Sequence, residues 1–374
     1  VAWFTYKHVA SLVTGEDCVC WPFWSGCEDV RARLSPAVAT ALVAAYIASG
    51  AVACALFLLT RVRAAVATFV GATVLAAAIY ALDYRLRMNQ TYMLSWAVLA
   101  FLVAPRKAEV LQALVALFYV WAGTLKLNRE WVSGAALYEQ PLFVPRALTS
   151  EACVYVLVLE LLFVWGLFAP STRGNKVRWA VYGQLVLFHA VSWKVVGYFY
   201  PLLMLGLTAI YPTVWLLRPD RALTWAMLRD EPSVRRAVVG AAAVFSAFQL
   251  VPHFFPGDTA VTGEGRLFAL HMFDARVECE GGATLRTRAG PVARAVLISD
   301  GSDVRTRCDP IVLAAQAARL CRLTASRSPP PFVDVAIDAK RSTDDAMQPL
   351  IHVADFCHQD VSYSPWHHNA WIGP

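Results

Sequence analysis

The chain has 374 residues, of which 58% are hydrophobic and only 16% charged, and its mean hydropathy is +0.49. Soluble domains carry about 25% charged residues, so this composition excludes an ordinary soluble protein and points to an integral membrane protein. The net charge of +6 comes from basic residues scattered through short loops, a pattern that reports membrane orientation rather than a nucleic-acid partner.

In chain order, residues 1–34 form an aromatic-rich segment carrying Cys18, Cys20 and Cys27. The chain starts at Val1 without a signal-peptide pattern, which leaves room for a segment upstream. Apolar runs follow at 35–60, 64–82, 90–104, 106–128, 149–169, 176–199, 200–217 and 234–254. Crossing the hydrocarbon takes ~20 residues, so residues 35–256 predict about eight spans. From Gly257 the chain turns polar. Alternation at 283–288 and 293–298 and at 332–337 predicts strands, and 310–323 predicts a helix. The expected fold is an all-α polytopic membrane protein with a small α+β domain over 257–374.

The densest basic loop, with Arg218, Arg221, Arg229, Arg235 and Arg236, predicts a cytoplasmic connection. Alternation then puts Arg61, Arg63, Arg106, Lys107, Arg173, Lys176 and Arg178 on the same side. The N-terminal segment, the 129–148 loop and the C-terminal domain fall on the other, extracytoplasmic side. Seven of the nine cysteines (Cys18, Cys20, Cys27, Cys279, Cys308, Cys321 and Cys357) lie in the segments placed outside, where disulfides form readily. Their pairing is not readable from sequence, and an odd number leaves one over. Cys18-Val19-Cys20 lacks the spacing of a metal or redox CxxC pair. The high Ala, Arg and Val content suits a bacterial inner membrane, and an endoplasmic reticulum membrane fits the cysteines equally.

Polar groups at membrane depth mark function by default. Glu160 lies near mid-span, His189 and Lys194 share one later span, Asn89, Gln90 and Tyr92 begin the third, and Lys126 ends the fourth. The plain structural alternatives are that Lys126 and Asp83 snorkel to the interface and that Glu160 joins two helices by pairing with Lys194 or His189.

The segment Ala122-Gly123-Thr124-Leu125-Lys126-Leu127-Asn128-Arg129-Glu130-Trp131-Val132-Ser133-Gly134 resembles the AG-x-x-KL-(three residues)-W-x-x-G segment of vitamin K-dependent gamma-glutamyl carboxylase and its HTTM (horizontally transferred transmembrane) relatives. Asn89-Gln90-Thr91-Tyr92 is similar to that family's Asn-His-Ser-Tyr, and Leu187-Phe188-His189 to its Tyr-Phe-His. Glu160 falls where the family has an intramembrane acid. Gly265-Arg266-Leu267-Phe268-Ala269-Leu270-His271-Met272-Phe273 is similar to its Gly-x-x-(aromatic)-Ser-Trp-x-Met-Met turn. Val19-Cys20-Trp21-Pro22 and Arg319-Leu320-Cys321-Arg322-Leu323 resemble two cysteine sites flanking the family's membrane core.

The resemblance implies an enzyme. A neutral lysine, here Lys126, takes a proton from vitamin K hydroquinone or a menaquinol-type hydroquinone, and the anion reacts with dioxygen. The strong base so formed removes a γ-proton from a glutamyl side chain of a peptide or protein substrate. The carbanion captures carbon dioxide and the quinone leaves as its epoxide. A lysine acts as a base at neutral pH only where its surroundings disfavour the ammonium form by about 4–5 kcal/mol. In this reading Asn89, Gln90 and Tyr92 line the quinone pocket, and His189 and Glu160 form a supporting buried pair with Lys194. Gln90 replaces a histidine and cannot titrate near neutrality, Lys194 replaces a neutral amide, and the tail after about residue 340 is short. Two rivals are a non-catalytic HTTM-type protein that binds a quinone or a partner protein, and a proton-coupled transporter. The chain shows none of the repeated halves common in transporters.

Overall fold

Among the described residues, six helical stretches are long and apolar enough to cross a membrane: Pro36–Leu58, Val62–Ala81, Lys107–Leu125, Arg146–Phe168, Phe199–Leu217 and Pro232–Phe254. The computed structural model describes residues 19–24, 26–170, 175–197, 199–272, 275–288, 290–298, 306–326 and 328–373. A short helix α1 (Cys27–Arg33) precedes α2 (Pro36–Leu58) and α3 (Val62–Ala81). Ser35 opens α2 by accepting from the Val38 N–H, with Pro36 in the first turn, where a missing N–H costs nothing. These two helices pair with each other and keep most of their surface outside the core.

Then come α4 (Asn89–Val103), α5 (Lys107–Leu125), α6 (Arg129–Ser133) and α7 (Thr149–Leu161), followed by α8 (Lys176–Val196), α9 (Phe199–Thr208), α10 (Ile210–Leu217), α11 (Trp225–Asp230) and α12 (Pro232–Leu250). The apolar runs at 90–104 and 176–199 therefore form helices, but α4 has only 15 residues and α8 stands outside the six. Helix α5 is the central one, packed by α4, α7, α9, α10 and α12. Its buried side chains Leu114, Phe118 and Tyr119 join Met93, Leu159, Leu185 and Phe245 in one core.

Beyond α12, a short α13 (Thr259–Thr262) leads into an antiparallel sheet. Strands β1 (Val277–Thr287), β2 (Gly290–Ala295), β3 (Phe332–Arg341) and β4 (Gln348–Val353) take the order β2-β1-β3-β4, and α14 (Pro310–Thr324) lies between β2 and β3 in sequence. Register runs from Val277↔Arg341 to Arg286↔Phe332 between β1 and β3. Alternate residues Val333, Val335, Ile337 and Ala339 of β3 are buried in a core shared with Ile311, Val312 and Leu313 of α14, as a strand period of two requires. Strand β4 was not expected from sequence. It is short, and Pro349 interrupts its pattern.

Disulfides join Cys20 to Cys27, Cys279 to Cys308 and Cys321 to Cys357. Cys54 and Cys153, in the helices, are free thiols, and Cys18 lies outside the described residues. Segment 19–24 is not a separate unit. Val19 and Trp21 belong to the sheet-domain core, and the Trp21 indole donates to the Tyr80 carbonyl at the end of α3.

Candidate functional site

Lys126 directly follows α5, where its N–H still bonds to the Gly123 carbonyl at 3.1 Å. A helix C-terminus favours a cation. Its Nζ donates to both oxygens of Glu160 in α7, at 2.7 and 2.6 Å, and each side chain is only 1% exposed. The Trp131 ring lies 5.1 Å from Nζ, within cation–π range. Lys126 is therefore a buried partner of Glu160 and does not snorkel. Asp83 is likewise fully buried, paired with Arg85 at 2.9 Å.

The residue types around Lys126 explain the geometry. A Cβ on Gly123 would sit 2.9 Å from Leu161 and 3.0 Å from the Glu160 Cβ; only glycine lets α7 approach α5 this closely. Asn128 then caps α6, accepting from the Trp131 N–H at 2.8 Å and donating to the Leu125 carbonyl at 2.8 Å. The Trp131 indole donates to the Cys153 carbonyl of α7 at 2.9 Å. Gly134 ends α6 at φ +81°, a left-handed cap suited to glycine. Thus Gly123, Lys126, Trp131 and Gly134 together build one α5–α6–α7 junction.

Tyr119 lies seven residues before Lys126, on the same helix face. Its hydroxyl shares a 2.6 Å hydrogen bond with His189 Nε2 in α8. Nothing in the sequence singles out Tyr119 except its seven-residue spacing from Lys126. His189 is fully buried, and its Nδ1 has no hydrogen-bond partner among the described residues.

Two expectations are corrected. Glu160 pairs with Lys126 rather than with His189 or Lys194, because the Gly123 contact brings α5 against α7 while His189 faces Tyr119. Lys194 is exposed. Five residues beyond His189 is about 140° around a helix, which turns it away from the buried face.

Asn89 and Tyr92 serve a different contact. Asn89 is buried and reciprocally bonded to the His271 backbone, donating to its carbonyl at 2.8 Å and accepting from its N–H at 2.9 Å. The Tyr92 hydroxyl donates to the Phe268 carbonyl and accepts from Gln249, whose own oxygen accepts from the Leu270 N–H at 2.9 Å. Gln90 donates to the Met88 sulfur. These groups hold segment 268–271 to the helices. Among the described residues, no hydrogen bond or ion pair joins Asn89, Gln90 or Tyr92 to Lys126, Glu160 or His189.

Glu130, four residues past Lys126, fixes the sheet domain to the same end of the bundle. It accepts from Ser342 Oγ at 2.7 Å, the Arg276 N–H at 3.3 Å and Arg341 Nη1 at 3.4 Å. Arg341 also pairs with Asp258. The opposite end carries other contacts, Arg221 to Glu109 at 3.2 Å and Arg106 to Ser233 at 2.9 Å. Comparison with protein-family models, curated proteins and solved structures finds no match to this chain.

Proposed function

We propose that the chain is a multi-pass membrane enzyme of the vitamin K-dependent carboxylase and HTTM type, with Lys126 as its base. The buried Lys126–Glu160 contact carries this reading. A proton passed from Nζ to Glu160 leaves Lys126 a free amine inside an apolar helix junction. That amine takes a proton from a lipid-soluble hydroquinone, and the hydroquinone anion so formed balances the ammonium while Glu160 keeps the proton it received. His189 Nδ1, which has no hydrogen-bond partner among the described residues, is a buried polar atom suited to a hydroquinone oxygen, with Tyr119 fixing the ring from its other side. When bound, reduced vitamin K or a menaquinol-type hydroquinone, with dioxygen, supplies the oxidation that drives carbon dioxide onto a glutamyl residue, releasing epoxide and water. Gln90 and the committed hydrogen bonds of Asn89 and Tyr92 leave the quinone's contacts to Lys126, Glu160 and His189.

In this topology α4 and α8 cross with the other six, giving eight spans. The basic ends, with Arg106 and Arg221, face the cytoplasm. The disulfide-bonded sheet end faces the periplasm of a bacterial inner membrane, or the endoplasmic reticulum lumen. Support comes from the basic loops and from the three disulfides. A glutamyl peptide then approaches from the side of the sheet domain, the same end of the bundle as Lys126.

One observation favours a second reading. A bidentate, fully buried contact between neighbouring helices is also how a purely structural ion pair joins them, in a non-catalytic HTTM-type protein that binds a quinone or a partner. Purified protein supplied with reduced vitamin K separates the two when assayed for epoxide and for labelled carbon dioxide fixed into a glutamyl peptide. The enzyme reading expects both products and their loss in Lys126→Ala. Epoxide without fixation restricts the activity to quinol oxygenation, and neither product favours the structural reading.

A further inference from the structure

The C-terminal tail holds an indole out of the fold. Trp366 is 72% exposed, yet the turn that carries it is tightly built. Glu264, fully buried, accepts from the Asn369 N–H at 2.7 Å and from Asn369 Nδ2 at 2.8 Å, and His368 Nδ1 lies 2.8 Å from its second oxygen. The Asn369 side-chain oxygen accepts from the Ser364 N–H at 2.6 Å, and Ser364 Oγ accepts from the Trp366 N–H at 3.2 Å. Trp366 is therefore exposed by a fixed backbone and not by fraying of the tail.

Two aromatic contacts set where this ring sits. Trp366 stacks on Phe268, with centroids 4.5 Å apart and planes 20° from parallel, and Phe268 lies 6.1 Å from Phe248 of α12. The Phe268 backbone is itself held to the bundle by the Tyr92 hydroxyl. The apolar stretch that contains α12 runs from Pro232 to Phe254, 23 residues, or roughly 34 Å as a helix against a hydrocarbon layer of about 30 Å. Its last turn thus reaches the headgroups, and Phe248 lies only roughly 9 Å further in. Val244, one turn before Phe248 on the same side, is exposed, as is Phe254 at 85%. On a spanning helix such apolar exposure faces lipid. Trp366, two ring contacts from Phe248, falls in the same layer, beside that lipid-facing side.

We propose that Trp366 is a membrane anchor, whose ring enters the headgroup layer beside α12 and seats the tail, and with it the sheet domain, on the bilayer surface. An indole suits that layer, because it has an apolar body and one N–H donor for the wet side. Continuity with the exposed apolar side of α12 selects lipid over a protein partner. The proposal requires only that α12 crosses the membrane and is independent of the Lys126 chemistry.

The test uses the full chain labelled with fluorotryptophan in phosphatidylcholine nanodiscs and read by fluorine NMR. Trp366→Phe, which keeps a ring on Phe268, assigns the Trp366 resonance by its disappearance. That resonance is expected to be lost to paramagnetic broadening when the lipid carries a nitroxide just below the headgroup, and to broaden far less with a water-soluble gadolinium chelate. Broadening by the chelate with none by the nitroxide lipid places the ring in water, and shielding from both assigns it to a protein contact; either result overturns the proposal. A second measurement needs no assignment. Benzoylphenylalanine in place of Trp366 is expected to give a lipid adduct, seen by mass spectrometry after irradiation in the same nanodiscs, and a folded protein that gives none overturns the proposal as well.

Discussion

Lys126 and Glu160 meet through both carboxylate oxygens, at 2.6 and 2.7 Å, across the junction of α5 and α7. Removing one partner from a buried pair strands the other charge and typically costs about 3–5 kcal/mol. Replacing both by apolar residues of similar size is often neutral. Lys126→Met alone should therefore lower the thermal midpoint of the purified protein markedly, and Lys126→Met with Glu160→Leu should restore it. A single variant as stable as the parent would remove the pair from the account.

Gly123 sets the distance that makes this contact. Gly123→Leu forces atoms into a space where even a Cβ lies 2.9 Å from Leu161, and overpacking of this kind costs about 1–3 kcal/mol. The expected result is a lower thermal midpoint with helix content retained by circular dichroism. Gly183, with open space at its Cβ position, is the control, and Gly183→Ala should have little effect.

Asn89 holds the 268–271 segment by two hydrogen bonds to His271. Asn89→Leu leaves both backbone groups of His271 without these partners, at about 1–3 kcal/mol each if they stay buried. Hydrogen exchange should rise locally around residues 268–272, with the core of α5 unchanged. Uniform loosening of the whole chain would contradict this assignment.

Arg341 makes the joint between the helices and the sheet pH-sensitive. Burial works to raise the Asp258 carboxyl, but the Arg341 hydrogen bonds and charge outweigh it and hold it below the ordinary 3.8. A depressed folded value means that the stabilisation is present above the ordinary value and is lost as pH falls through about 4 and below. Hydrogen-exchange protection in β3 and α13, corrected for the intrinsic rate at each pH from 6 to 3, should fall below pH 4. Arg341→Ala should flatten that dependence.

Much of this architecture is legible in the residues themselves. The membrane class follows from composition, and the segment from Ala122 to Gly134 announces a special junction through its glycines, lysine and tryptophan. What escapes is pairing between distant elements. Nothing local marks Tyr119 as the partner of His189, or Gln249 as the clamp on Leu270, because each is one polar side chain in an apolar helix. Pairing Glu160 with His189 was the natural expectation from depth alone; the actual partner depends on which helices Gly123 lets touch. Trp21 likewise reads as part of a leading segment, and only the chain's return through α3 and the sheet makes it core.

The proposed role of Lys126 is that of a base rather than of a brace. The most direct measurement is epoxide formation from reduced vitamin K by the Lys126→Met/Glu160→Leu double variant, taken beside its thermal midpoint. The prediction is a protein that folds with near-parental stability and forms no epoxide, while the parent does. A folded double variant that forms epoxide at the parental rate would contradict it.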